Sequence, residues 1–334
     1  MKALVLHGPG SYTYEENWAA PEQKPGWAIV EVAYCGVCGS DLPRFARTGS
    51  YHHPVILGHE FSGTVRTPAE GVSRFAIGDP VAVAPIIPCG TCGGCRKYGA
   101  FHCEKYEFIG SRNDGGMAEY CAVPESNLLR LPDTDSLRAG AFLEPIAVAL
   151  HVVRKSGFVV GKTAAVYGSG TIGLLIAMWL RVFGASKIII LDLRDRSLDI
   201  AKKTGFDDAM HPNDWPAGET VDFAYEAAGS AKALQDAITH TQPCGVITVV
   251  GRDTKDTVIP REFFERMMRR EITLQTCWGY ELEGEAEFVM KEIGRGSFPV
   301  EHLVSAEVSL QEAPAAIAQM CAGEMEYCKV FVKP

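Results

Sequence analysis

Of all the stretches in this chain, the hexapeptide Gly168-Ser169-Gly170-Thr171-Ile172-Gly173 most constrains the fold, because of where it stands. It follows the apolar run TAAVYG and opens Ile172 to Phe183, a segment of helical periodicity. In such a strand, turn and helix, the first glycine makes the tight turn. The second lets the backbone approach a pyrophosphate, and the third lets the helix sit close on the strand. The amides of Thr171 and Ile172, at the start of the helix, then face a phosphate with the positive end of the helix dipole behind them.

The alternation continues from about residue 144 to residue 280. KIIILD precedes Ser197 to Thr204, VDFAYEAAG precedes Lys232 to Thr241, GVITVVG precedes Arg261 to Arg270, and ITLQTC closes the series. Continuous apolar strands with helices between them form a parallel sheet covered on both faces, a doubly wound α/β domain. Asp192 ends KIIILD nineteen residues past Gly173. A carboxylate there takes the ribose hydroxyls and repels the 2′-phosphate of NADP, so NAD is expected, although a neighbouring arginine such as Arg194 can accommodate that phosphate.

Residues 1 to 143 read differently, as short β-branched runs (Lys2 to Leu6, Ala28 to Ala33, Gly63 to Arg66, Pro80 to Ala84, Ala118 to Val123) separated by Gly and Pro. This pattern predicts a mostly β domain with long loops. Beyond Tyr280, Gly284 to Gly294 and Leu310 to Met320 read as helices and Cys328 to Val332 as one closing strand. One strand cannot form a sheet alone, so residues 281–334 are expected to rejoin residues 1–143, with the dinucleotide domain, 144–280, inserted between them.

The chain carries 41 acidic against 32 basic residues, a net charge of −9. That balance opposes a nucleic-acid or anionic-membrane partner and favours small molecules. The N-terminus has no signal-peptide pattern, and the apolar stretch Ile172 to Leu180 is too short to span a bilayer, so a cytoplasmic location is expected. In that reducing setting, four of the 11 cysteines cluster as Cys89-x2-Cys92-x2-Cys95-x7-Cys103. Four thiolates at this spacing can enclose one tetrahedral structural zinc. An iron–sulfur cluster, whose spacings differ, and free thiols are the rival readings. Cys35, Cys121, Cys244, Cys277, Cys321 and Cys328 read as structural, the last five as small buried hydrophobes.

Two further motifs, Cys35-Gly-Val-Cys38-Gly-Ser40-Asp41 and Gly58-His59-Glu60, lack close-spaced ligand partners, so any site they form must be assembled by the fold. Taken in order with the four-cysteine loop, Phe142-Leu-Glu144-Pro145 and the glycine turn, they resemble the zinc-dependent medium-chain dehydrogenases, polyol branch, along the entire chain. Cys38 to Arg44, Gly58 to Gly63 and Lys105 to Arg112 are similar to the segments found in enzymes acting on galactitol 1-phosphate.

The resemblance implies a GroES-like catalytic domain carrying the inserted Rossmann sheet, with two zinc ions per chain and NAD. It implies a catalytic zinc on Cys38 and His59, with Glu60 and Glu144 completing or exchanging at the site, Ser40 accepting the substrate hydroxyl proton and Asp41 orienting His59. Zinc at such a site lowers the pKa of an alcohol toward neutrality so that hydride can leave to nicotinamide. The implied substrate is a secondary alcohol of a polyol phosphate, with Arg44, Arg47 and Arg112 as phosphate-binding candidates and Trp278 and Tyr280 facing the substrate. An unphosphorylated sorbitol-like polyol, a threonine-type amino alcohol and a non-catalytic NAD- and zinc-binding protein are the alternatives. Many relatives carry a relay histidine where this chain has Pro43, which leaves water, the cofactor ribose, His52 or His53 to carry the proton. Family assemblies are homodimers or homotetramers joined through edge strands, here GVITVVG and ITLQTC.

Overall fold

The computed structural model describes residues 1–334 except 72, 253 and 254. Two compact units emerge, Met1–Glu144 with Glu281–Gly296 and Leu303–Pro334, and Pro145–Tyr280 with Ser297–His302.

The first unit is built on a seven-stranded sheet. Its path runs Leu128–Arg130, Pro80–Val83, Glu60–Thr67, Trp27–Gly36, Lys329–Lys333, Val304–Ser309, and Tyr120–Pro124 pairs with Trp27–Gly36 off that path. Alternate residues of the central strands, including Ala28, Val30, Phe61 and Val65, are buried in one apolar core. The C-terminal strand lies antiparallel to Trp27–Gly36, with Phe331 opposite Gly36 and Val332 opposite Cys35. It has a second neighbour, Val304–Ser309, which runs parallel to it. Sequence reading missed that strand because VSAEVS alternates and is half exposed, so it presents no continuous apolar run.

The second unit holds a six-stranded parallel sheet in the order Ala209–Met210, Lys187–Leu191, Thr163–Tyr167, Val221–Glu226, Thr241–Val249, Thr273–Thr276. The chain reverses direction across the sheet between Lys187–Leu191 and Val221–Glu226, on either side of Thr163–Tyr167, as a doubly wound fold requires. Ala164, Ala165 and Val166 are wholly buried, as the TAAVYG run implied. The segment ITLQTC supplies the edge, but GVITVVG does not. Val246 pairs with Thr273, which puts Thr241–Val249 one strand inside.

Two cysteine readings also change, since Cys244 is exposed with φ 60 and Cys321 is only partly buried. Among the described residues no helix is long and apolar enough to cross a membrane.

Candidate active site and metal centres

Strand register assembles the first constellation. Gly36 pairs with Glu60, so Cys38, two residues beyond one strand, and His59, just before the other, meet at the same end of the sheet. Gly58 is required at the approach, because it sits at φ 98 and a Cβ there would lie 2.5 Å from the Cys35 sulfur. The ligand atoms of Cys38, His59 and Glu60 all lie within 4.8 Å of one another. Thiolate, imidazole and carboxylate together form a zinc donor set.

The neighbouring groups complete the setting. Asp41 is wholly buried, and its Oδ2 accepts the Cys38 amide at 3.1 Å. Its Oδ1 faces His59 Nδ1 at 3.5 Å, which leaves Nε2 for a metal. Burial works to lower the His59 pKa, but the charges of Asp41 and Cys38 outweigh it and hold the ring well above its ordinary value. Ser40 donates its hydroxyl to the Cys38 sulfur at 3.3 Å.

Glu144, at the start of the helix Leu143–Lys155, has its carboxyl pushed up to about 7, first by burial and then by Glu60, with His59 opposing. It therefore stands within electrostatic reach of the cluster, although its oxygens fall outside the three-residue set. Asp41 Oδ1 and His59 Nδ1 are buried with only each other as close charged partners in the His59 pair, and the thiolate, imidazole and carboxylate crowded beside them fit a cation.

Glu60 has a partner that sequence reading missed. Lys329 Nζ lies 2.5 Å from Glu60 Oε2 and 3.2 Å from the Val37 carbonyl, and both side chains are under 5% exposed. The register of Phe331 with Gly36 carries Lys329 to the level of Cys38. A lysine heading the otherwise apolar run Val330–Val332 was the available signal, since a buried ammonium needs an anion.

The four-cysteine lobe gathers as well. The sulfurs of Cys89, Cys92, Cys95 and Cys103 lie within 4.8 Å of one another, with Cys89 to Cys95 at 3.9 Å and Cys92 to Cys103 at 4.0 Å. A tetrahedron of Zn–S bonds of about 2.3 Å has edges of about 3.8 Å, so the set fits zinc. Amides of Cys95, Cys89 and Lys105 point at these sulfurs. Thr91 and Cys92 backbone groups pull the Cys89 thiol down to about 6, while loss of water and Cys103 push Cys95 up to about 12.

The glycine turn has the expected local geometry. Gly168 sits at φ 99, a Cβ on Gly173 would fall on the Gly168 carbonyl oxygen, and a Cβ on Gly170 would meet nothing within 4 Å. That open space at the start of the helix Thr171–Val182 fits a dinucleotide pyrophosphate. Asp192, 9% exposed, accepts the Ser169 amide at 2.8 Å and the Arg194 amide at 3.0 Å. Burial would raise its carboxyl, but these bonds and the Arg194 charge hold it below the ordinary value.

The remaining candidates are dispersed. Arg44 lies 3.7 Å from Asp41, and Arg47 is exposed on the turn Arg44–Thr48. The Arg112 guanidinium lies over the rings of Tyr51 and Tyr106. Trp278 is 61% exposed, whereas Tyr280, 2% exposed, is a core ring. His52 Nε2 donates to the Arg112 carbonyl and His53 Nε2 accepts the Ser50 amide, so neither bond leads to Ser40.

This fold and these donor sets define a zinc-dependent alcohol dehydrogenase. Residues 24–133 match the alcohol dehydrogenase GroES-like domain and residues 171–294 the zinc-binding dehydrogenase domain. The chain is 34% identical to galactitol 1-phosphate 5-dehydrogenase of Escherichia coli K12 over 83% of each chain. A crystal structure of galactitol-1-phosphate dehydrogenase from Escherichia coli matches at TM-score 0.92 and 31% identity, covering all of both chains. Sorbitol dehydrogenase of Bacillus subtilis 168 is 29% identical over 100% of this chain and 97% of its own. A zinc-binding dehydrogenase from Sinorhizobium meliloti 1021, solved bound to NADP, matches at TM-score 0.92 and 29% identity over 100% and 99% of the two chains. The chain belongs to the zinc-dependent medium-chain dehydrogenases, as an alcohol or polyol dehydrogenase.

Proposed function

We propose that this enzyme oxidises a secondary alcohol of a polyol phosphate to the ketose phosphate with NAD, using a catalytic zinc on Cys38 and His59 and a structural zinc on the four-cysteine lobe. The observation that carries the reading is the meeting of Cys38, His59 and Glu60 within 4.8 Å, with Ser40 and Glu144 beside them. Zinc and nicotinamide supply the chemistry when bound, a Lewis acid that makes the hydroxyl acidic near neutral pH and a hydride acceptor.

The chain's own groups do the rest. Cys38 and His59 hold the metal, with Asp41 fixing the imidazole through its Nδ1 side. Glu60 and Glu144 supply the carboxylates that complete the site or exchange there, and Lys329 holds Glu60 by one oxygen. Ser40 Oγ, whose hydroxyl already reaches the Cys38 sulfur, takes the substrate proton. Pro43 ends the side-chain relay, so the proton passes on through water or the cofactor ribose.

NAD is favoured because Asp192 follows the strand Lys187–Leu191 with its carboxyl held below the ordinary value, and a carboxylate there takes the ribose hydroxyls, while the Arg194 Nε is engaged on Asp192 rather than free for a 2′-phosphate. The phosphorylated substrate is favoured by the galactitol 1-phosphate relative. The sorbitol relative, spanning the whole chain, supports an unphosphorylated polyol as the second reading. The assembly proposed is a homodimer or homotetramer joined through the edge strand Thr273–Thr276.

A panel of galactitol 1-phosphate, galactitol, sorbitol, xylitol and threonine with NAD and with NADP tests the proposal. The highest kcat/KM is expected for galactitol 1-phosphate with NAD. A preference for sorbitol, for threonine or for NADP overturns the corresponding part.

A further inference from the structure

One arginine in the first unit is set unlike the rest. The Arg112 guanidinium lies 4.0 Å from the Tyr51 ring centroid and 4.4 Å from that of Tyr106, so aromatic faces flank it. Its backbone is fixed at both ends, the amide donating to the Phe108 carbonyl at 2.8 Å and the carbonyl accepting from His52 Nε2 at 3.0 Å. The same loop is tied across by the Ser50 hydroxyl, which donates to the Ser111 carbonyl at 2.5 Å.

Among the described residues no acid pairs with the guanidinium. Its Nε is buried without a hydrogen-bond partner, and the groups that act on its charge are the two tyrosines rather than a carboxylate. Three arginines elsewhere do have acids, Arg44 with Asp41, Arg138 with Glu307 and Arg194 with Asp192, although the Arg138 Nε is likewise buried without a hydrogen-bond partner. In a chain with 41 acidic residues, a cation held in place with no acid paired to it among the described residues can take an anion.

Its location is also specific. Tyr106 contacts the Phe108 ring at 6.5 Å and Phe108 contacts the His59 ring at 5.5 Å, so Arg112 and the metal-binding imidazole share one continuous aromatic wall. The guanidinium lies over both tyrosine rings, its Nε has no hydrogen-bond partner, and its planar fork of N–H donors matches phosphate oxygens. The stacking also removes rotamer freedom before any ligand arrives.

We infer that Arg112, clamped by Tyr51 and Tyr106, is the specificity-determining residue that binds the phosphate of the substrate while its carbinol meets the metal site. The inference rests on the polyol-phosphate reading and narrows it to one of the three arginines. Arg44 is committed to Asp41, and Arg47 has an exposed side chain.

The test compares kcat/KM for galactitol 1-phosphate and for galactitol in the wild type, Arg112→Gln, Arg112→Lys, Tyr106→Leu and Tyr106→Phe, with zinc content and circular dichroism confirming each fold. The phosphorylated-to-unphosphorylated ratio is expected to fall about 10²-fold in Arg112→Gln, chiefly through KM, which is the worth of a charge-assisted pair. Arg112→Lys should keep part of the ratio, and Tyr106→Phe should keep more of it than Tyr106→Leu, because phenylalanine retains the ring face while losing the hydroxyl that also acts on Arg112. If the wild type prefers the phosphorylated substrate and Arg112→Gln keeps that preference, the assignment to Arg112 falls while the polyol-phosphate reading stands. A wild type with no such preference removes the reading, and the inference with it. Should Arg112→Gln fail to fold, Arg112→Lys and Tyr106→Leu decide by the same ratio.

Discussion

Replacing Lys329 with methionine should destabilise the first unit strongly, out of proportion to a single surface charge. Lys329 and Glu60 are 4% and 3% exposed, and the ammonium also serves the Val37 carbonyl. Methionine fills much of the same volume, so the loss is electrostatic rather than a cavity. Removing one partner of such a pair leaves an uncompensated buried charge and costs about 3–5 kcal/mol. For a unit of this size each kcal/mol lowers the melting temperature by about 2–4 °C, giving a drop of about 10 °C. The assay is thermal unfolding by circular dichroism on metal-free protein, with Glu60→Gln and the double variant run alongside. The double variant should recover at least half of the loss, because it leaves no lone charge. A Lys329→Met melt within about 2 °C of the wild type, or a double variant no better than the single, refutes the reasoning.

Two further expectations concern other parts of the chain. Cys95→Ser should release the structural zinc and make the segment 88–106 the first site of limited proteolysis, while glycine-turn binding of NAD, followed by nucleotide fluorescence, persists; an intact, metal-replete lobe counts against the four-thiolate site. Asp222 accepts from Lys162 at 2.9 Å, from the Thr163 amide at 2.9 Å and from the Thr163 hydroxyl at 2.8 Å. Burial raises its carboxyl but these bonds win, so its folded pKa lies below the ordinary value. Its stabilisation is therefore present above the unfolded carboxylate pKa of about 4 and lost as pH falls through the lower folded value. Asp222→Asn should be about 1 kcal/mol less stable than wild type at pH 7 in urea, with the gap closing toward pH 3; a gap independent of pH contradicts this.

How far the sequence reached depends on whether a residue's partner was local. Five strands of the parallel sheet were legible as apolar-rich runs alternating with helices, while the two-residue strand Ala209–Met210 offered no run to read; the glycine turn was legible because its three glycines have separate steric duties within six residues. The four cysteines announced their cluster by spacing alone. The cluster at Cys38 needed the family resemblance, since 21 residues separate it from His59 and only the pairing of Gly36 with Glu60 closes that gap. Lys329 and the Tyr51–Arg112–Tyr106 stack stayed hidden for the same reason, their partners being set by strand and loop register rather than by spacing. GVITVVG was misplaced at the edge because interior and edge parallel strands share one apolar pattern, and only Val246 pairing with Thr273 separates them.

Alcohol oxidation is expected to depend on a zinc held by Cys38, His59 and a carboxylate, apart from the zinc of the cysteine lobe. Metal analysis of Cys38→Ser beside the wild type, with NADH formation from galactitol 1-phosphate measured on the same samples, tests it most directly. About two zinc per chain are expected in the wild type and about one in the variant, with turnover lost and the fold and the lobe zinc retained. Two zinc in the variant, or turnover that survives the substitution, would contradict it.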